Sequence, residues 1–171
     1  SAKHAIKFGF NGIYHYFSVG RFSAGNGSDL SFEAGSDFHA LELGGYFSDE
    51  WTISKRFKLN SGLRISAFNN AGTFYWTAEP RLALKYSVHP QVSLKASYAR
   101  MAQYLHLVST SGASLPTDVW YPSIERVKPQ LSDLVSAGVS IAIGRDFYIS
   151  GEGYYKWMQQ QIDFKDGANL F

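Results

Sequence analysis

The groups in this chain that could do chemistry are a few histidines, serines and carboxylates. His15 and His39 flank a soft stretch, and a hairpin closing over it would bring them together as a haem or metal pair requires; two polar rim histidines is the simpler reading. His106, Ser109, Ser111, Ser114 and Asp118 contain the residue types of a hydrolytic triad, but they lie in a loop-like run without a nucleophile elbow. Glu79 with Glu42 or Glu152 offers paired carboxylates. Arg81, Lys85 and Lys156 stand among them, which favours ion pairs over acid–base catalysis. Gly25-Asn26-Gly27 is followed by no helix and so lacks the context of a phosphate cradle. No enzyme is expected, and no cofactor or metal is implied. Trp120 and Tyr121 are different, because aromatics in a long loop supply contact area for a ligand or a neighbouring protein.

The elements that carry these residues are strands. From Trp76 to Tyr86, Trp76, Ala78, Pro80, Leu82, Leu84 and Tyr86 share one parity, and Thr77, Glu79, Arg81, Ala83 and Lys85 share the other. Successive side chains of a strand point to opposite faces, so one face is apolar with an aromatic at each end, and the other is ionic. The same alternation predicts strands over 6–17, 38–53, 58–68, 76–86, 92–107, 131–143 and 147–163, with no helical period in competition. Long loops are expected over 18–37 and 108–129, and a brief one over 69–73. The turns near 54–57, at His89-Pro90 and at Gly144-Arg145-Asp146 are short. Short turns at one end and long loops at the other, on strands beyond ten residues, is the organisation of a transmembrane barrel.

Composition sets outer bounds. The 171 residues contain no cysteine, which rules out a disulfide scaffold. The net charge of +2, with both signs interspersed, gives no basic surface for nucleic acid. No run reaches the roughly 18 apolar residues of a spanning helix. Alternation alone also fits a soluble sheet whose apolar face covers a core, which leaves a soluble β-sheet binding protein as a rival. Seven strands are too few to close a barrel in lipid, where each unpaired backbone group costs several kcal/mol. Residues 1–171 therefore read as part of an all-β, antiparallel transmembrane β-barrel, with no plug domain in the chain.

Several runs carry a family resemblance. Glu79-Pro80-Arg81-Leu82-Ala83-Leu84-Lys85-Tyr86, Ser93-Leu94-Lys95-Ala96-Ser97-Tyr98-Ala99-Arg100 and Gln103-Tyr104-Leu105-His106-Leu107 resemble the barrel of TonB-dependent outer-membrane receptors of the Bacteroidota type. Leu115-Pro116-Thr117-Asp118-Val119-Trp120, Val127-Lys128-Pro129-Gln130, Tyr154-Tyr155-Lys156, Gln161-Ile162-Asp163 and Ser48-Asp49-Glu50-Trp51 continue it. The likeness is greatest to receptors with a carboxypeptidase-regulatory-like domain at the N-terminus. It implies about seven consecutive strands of a barrel of about 22, closed by a plug, in the outer membrane. It also implies import of a scarce nutrient driven through TonB, by parts not found in this chain.

The expected partners are membrane lipid, the plug and TonB, an unidentified small ligand and, in a rival reading, an envelope protein for which this segment is a structural or docking component. Residues expected to face the lumen and the plug are Lys7, Glu42, Glu50, Lys58, Arg64, Glu79, Arg81, Lys85, Lys95, Glu152 and Lys156. Leu82 and Leu84 are expected to face lipid.

Overall fold

The computed structural model describes residues 3–25, 31–109, 118–144 and 146–162. Its elements are β1 (His4–Gly25), β2 (Ser31–Thr52), β3 (Phe57–Asn70), β4 (Thr73–His89), β5 (Val92–Gln103), β6 (Leu105–Ser109), β7 (Asp118–Pro122), β8 (Gln130–Ile143) and β9 (Phe147–Gln159). Seven of them form one antiparallel sheet in the order β1-β2-β3-β4-β5-β8-β9, an uninterrupted meander, while β6 and β7 pair as a separate ribbon. The sheet is open, with β1 and β9 as its edges.

Register decides which side chains share a face. Arg64 pairs with Glu79, Gly62 with Arg81 and Lys58 with Lys85, so even positions of β3 join odd positions of β4 on one polar face. Glu42 and Tyr46 of β2, Lys7 of β1, Lys95 of β5, and Glu152 and Lys156 of β9 fall on that face through the remaining ladders. The other face carries Ile6, Phe8, Phe10, Leu43, Phe47, Leu59, Leu63, Ile65, Leu82, Leu84, Leu94, Val139 and Ile141, many of them exposed. A sheet that exposes this much apolar surface on one side has not used that side for its own core.

On three of the seven strands, aromatic residues stand ten positions apart at the two ends of the apolar face. His4 stacks on Trp51 near the short-turn end, and Tyr14 lies ten positions further along β1. Tyr86 and Trp76 are ten positions apart on β4, as are Phe147 and Trp157 on β9. Following hydrogen-bonded partners from His4 across the sheet reaches Leu84 on β4 and Gly153 on β9. Those residues lie two and six positions above the lower aromatics of their own strands. The aromatic band thus slips about one residue per strand. With a rise of about 3.3 Å per residue and a strand spacing of about 4.8 Å, a level band requires strands tilted by about 35°, the tilt of a closed barrel. Ten residues at that tilt separate the two bands by about 27 Å.

The structure corrects three connections. The expected loop over 18–37 is largely ladder: β1 runs to Gly25 and β2 starts at Ser31, with one irregularity between Val19 and Phe22. Glycine, serine and asparagine weaken strand propensity, but a hairpin already in register extends through its backbone. The expected strand over 92–107 breaks at Tyr104 into β5 and β6, and the expected loop over 108–129 contains β7. The loop over 69–73 shrinks to Ala71-Gly72, with φ of 47° and 86°. Two successive left-handed residues match the twist of a tight hairpin, yet alanine is a poor occupant of the first. Ala71→Asn should therefore raise the unfolding free energy by about 0.5–1 kcal/mol, measured by urea titration of the receptor in detergent or bilayers.

Candidate functional site

The polar face assembles an ionic ladder across four strands. His15 of β1 lies 3.4 Å from Glu42 of β2, and Glu42 lies 3.5 Å from Arg64 of β3. Arg64 is 3.8 Å from Glu79 of β4, whose other oxygen is 4.0 Å from Arg81. Charge alternates along the whole run from Glu42 to Arg81. The Glu42–Arg64, Arg64–Glu79 and Glu79–Arg81 contacts are ion pairs, longer than ordinary hydrogen bonds. Glu79 is 3% exposed, so its carboxylate depends on those neighbours and on Ser66 Oγ, which donates to Oε1 at 2.7 Å.

Close backbone approach shapes the ladder. A Cβ on Gly44 would stand 2.6 Å from Asn11 Oδ1 and 2.9 Å from an Arg64 guanidinium nitrogen. The bare backbone at Gly44 is therefore what lets Arg64 lie flat and reach back to Glu42. Gly9 leaves room in the same way for the ring of Tyr46.

The β6–β7 ribbon folds down onto this face at its long-loop end. Tyr104, at the break after β5, stacks on Phe68 with ring centroids 5.1 Å apart and planes at 0°. Its hydroxyl lies 2.8 Å from Ser66 Oγ, which continues to Glu79. Ser123 Oγ donates to the Tyr104 carbonyl at 2.9 Å, so Ser123 accepts from His106 Nε2, 3.0 Å away. Tyr75 donates to the carbonyl of Ile124 at 2.9 Å. Phe68, Tyr104 and Ala40 form the small buried core beneath the ribbon.

This arrangement separates the residues that spacing had grouped. Tyr121 meets Phe38 edge-on at 5.7 Å, so its ring packs against β2. Trp120 lies opposite Leu107 on the other side of the ribbon, and both remain about half exposed, at 50% and 48%. His15 pairs with Ala40 while Tyr16 pairs with His39, which puts the two histidines on opposite faces and ends the metal-pair reading. His39 instead holds the Tyr14 hydroxyl at 2.8 Å. His106 binds Ser123, and Ser109 is the backbone partner of Asp118 in the ribbon. Ser111, Ser114, Asn26 and Gly27 lie outside the described residues. Glu42 and Glu79 share Arg64, whereas Glu152 stands three strands from Glu79, opposite Gly138.

Ser66, Tyr104, Asn70 and Ser123 were not legible as site residues. Nor was a charged cluster on the apolar face: Arg100 grips Asp133 with two nitrogens at 3.0 and 3.1 Å, and Tyr98 donates to the same carboxylate at 2.6 Å. Asp133 pairs with Trp157, so the cluster sits level with the outer aromatic band.

An antiparallel meander with one ionic face and one banded apolar face is the wall of a transmembrane barrel. The chain belongs to the TonB dependent receptor-like, beta-barrel family, whose model matches residues 2–171. No curated protein is similar enough to count as a relative. The family is one of outer-membrane transporters rather than enzymes, and its members work with a plug and with TonB.

Two outcomes follow from the site. Gly44→Ala should push Arg64 off Glu42 and lower stability, and Glu42→Gln should then cost less in the Gly44→Ala background than in the parent, as a double-mutant cycle would show. Burial holds the His106 imidazole below its ordinary range. An open ribbon takes up a proton more readily than a closed one, so closure is fully stable above the unperturbed value of about 6.5 and weakens as pH falls below it. Hydrogen exchange of the ribbon amides, corrected for intrinsic rate, should show protection falling from about pH 7 to about pH 5.5, and His106→Gln should flatten the dependence.

Proposed function

We propose that this chain is barrel wall and outer vestibule of a TonB-dependent importer, with the apolar face against lipid and the ionic face toward the lumen and plug. The observation that carries this reading is the banded face. A soluble sheet has no reason to place aromatics ten positions apart on three strands, nor to offset them by one residue per strand. A bilayer requires both, because indole and phenol rings sit at its two interfaces and the strands between must tilt. The opposite face then lines an aqueous interior, where alternating charges are solvated.

The ribbon gives the vestibule a floor plan. Its His106 and Tyr121 side lies on the wall, so its Leu107 and Trp120 side looks into the opening. Trp120 is the residue proposed to meet the imported ligand there, and Tyr121 positions the ribbon that presents it. The cargo class is a scarce nutrient. The runs from Glu79 to Tyr86 and from Ser93 to Arg100 favour a receptor of Bacteroidota type that carries a carboxypeptidase-regulatory-like domain.

Depth can be tested directly. Leu82 lies near the middle of the interval between Trp76 and Tyr86, and Leu84 lies closer to the lower band. Leu82→Arg should destabilise the folded barrel by about 2–4 kcal/mol and Leu84→Arg by less, while Arg81→Leu should leave membrane insertion intact. Equal folding of Leu82→Arg and parent in lipid vesicles would reverse the assignment of the faces. Trp120→Ala should weaken uptake of the physiological ligand without lowering the amount of receptor in the outer membrane.

A further inference from the structure

Pairing between β4 and β5 covers only the lower part of both strands. Their last pair is Arg81 with Ala99, whereas β4 continues against β3 up to Thr73 and β5 continues against β8 up to Gln103. Pro80 stands where the ladder stops, and proline has no N–H to carry it on. Ser87 donates its N–H to the Arg56 carbonyl on the β3 side, so odd positions of β4 turn their backbone groups to β3 and even positions turn theirs to β5. Phe74, Trp76 and Ala78 thus aim N–H and C=O groups into the gap above Pro80, and among the described residues no backbone group answers them. The inner side of this stretch is covered: Tyr75 donates to the carbonyl of Ile124, and Tyr104 lies across Phe68 on the adjoining β3. The outer side is open, with Phe74 and Trp76 both exposed. Across the gap, on that same outer side, lies the cluster of Tyr98, Arg100 and Asp133.

We infer that the upper edge of β4 takes an extended segment of a neighbouring envelope protein, which enters from the outer side and adds as a strand beside Phe74, Trp76 and Ala78. The inference rests on the outward assignment of the apolar face made above. Unpaired groups on alternate residues of a strand repeat about every 6.8 Å. An extended polypeptide returns N–H and C=O groups at that interval, and an acyl chain returns neither. The edge lies at the outer aromatic band, where water is scarce and each unanswered backbone group is a cost that an added strand removes. Because the chain that leaves β5 covers the inner side, the approach left open is the membrane-facing one. Arg100 is partly exposed beside the gap, and it gives a protein a polar contact that lipid tails could not use. An open edge and a charged cluster on an otherwise apolar face thus mark the same place independently.

The test uses the intact receptor in lipid vesicles, with a synthetic peptide of alternating valine and threonine as the probe. Without peptide, the amides of Phe74, Trp76 and Ala78 should exchange hydrogen rapidly, and those of Tyr75 and Thr77, bonded to β3, slowly. With peptide the three fast amides should slow about tenfold or more, and the same peptide N-methylated throughout should leave them fast. Ala78→Pro removes a free N–H, so this variant should insert as the parent does and lose the protection, whereas Thr77→Pro breaks a β3 bond and should fold poorly. Slow exchange at all three positions before any addition would overturn the inference, as would a peptide that leaves them fast or an N-methylated one that protects equally. If Ala78→Pro fails to fold, the exchange pattern of the parent still decides. In whole cells, a benzophenone side chain at position 74 should form an adduct with a different protein, and Ala78→Pro should abolish it. Adducts with lipid alone, with a second receptor copy or with the receptor's own chain would count against a protein neighbour and overturn the inference. Labelling of Arg81 and Lys85 by a lipid-soluble photoprobe would sink the assignment of the faces, which the exchange pattern does not touch.

Discussion

The period of two along a registered antiparallel ladder is the constraint on which the rest of this structure depends. Because neighbours pair residue to residue, the face chosen by β1 is imposed on every strand through β9. A slip of one residue at a single interface would put Arg64, Glu79 and Lys85 among Leu82, Leu84 and Ile65. The penalty in hydrocarbon is several kcal/mol for each mid-depth charge, so register and environment specify each other. Backbone satisfaction acts in the same direction, since lateral pairing in the continuous sheet supplies the hydrogen bonds that lipid cannot.

Most of the sheet was legible because alternation survives without any tertiary knowledge. The seven strands of the meander were expected, and the eleven charged residues singled out from sequence share one face in the structure. What alternation cannot convey is which partner stands opposite. Whether His15 and His39 share a face depended on a register that puts Ala40 opposite His15. The Arg100–Asp133 pair was hidden for the same reason: a charge on the parity of Leu94 reads as a broken pattern until the next strand supplies its counter-ion at the level of the outer aromatics. Above that band no solvent boundary enforces alternation. The outer part of the first hairpin, over 18–37, and β7 were therefore read as loops, from their glycine, serine and proline content, while most of β6 was read as a continuation of β5.

The ribbon accounts for the small core on the polar side of the sheet. Phe68 and Ala40 are apolar positions on the polar face, and Tyr104 comes down to bury them. The rest of the covering contact is polar: Ser123, Asn70, His106 and Tyr75 use side chains and carbonyls to fix the chain after β7 against β3 and β4. Such a contact is directional, so it sets where the ribbon lies more sharply than apolar packing alone would.

Tyr104 joins this covering to the ladder, and the joint has a consequence for how an outer event reaches the interior of the wall. Glu79 is almost fully buried, and its charge is tolerated because Ser66, Arg64 and Arg81 surround it. Lifting the ribbon would remove the Tyr104 hydroxyl and leave the Ser66 hydroxyl to Glu79 alone. Glu79 in turn holds Arg64, and Arg64 is the residue that Glu42 shares. The seat of the ribbon and the charges on β2 through β4 thereby belong to one set of contacts.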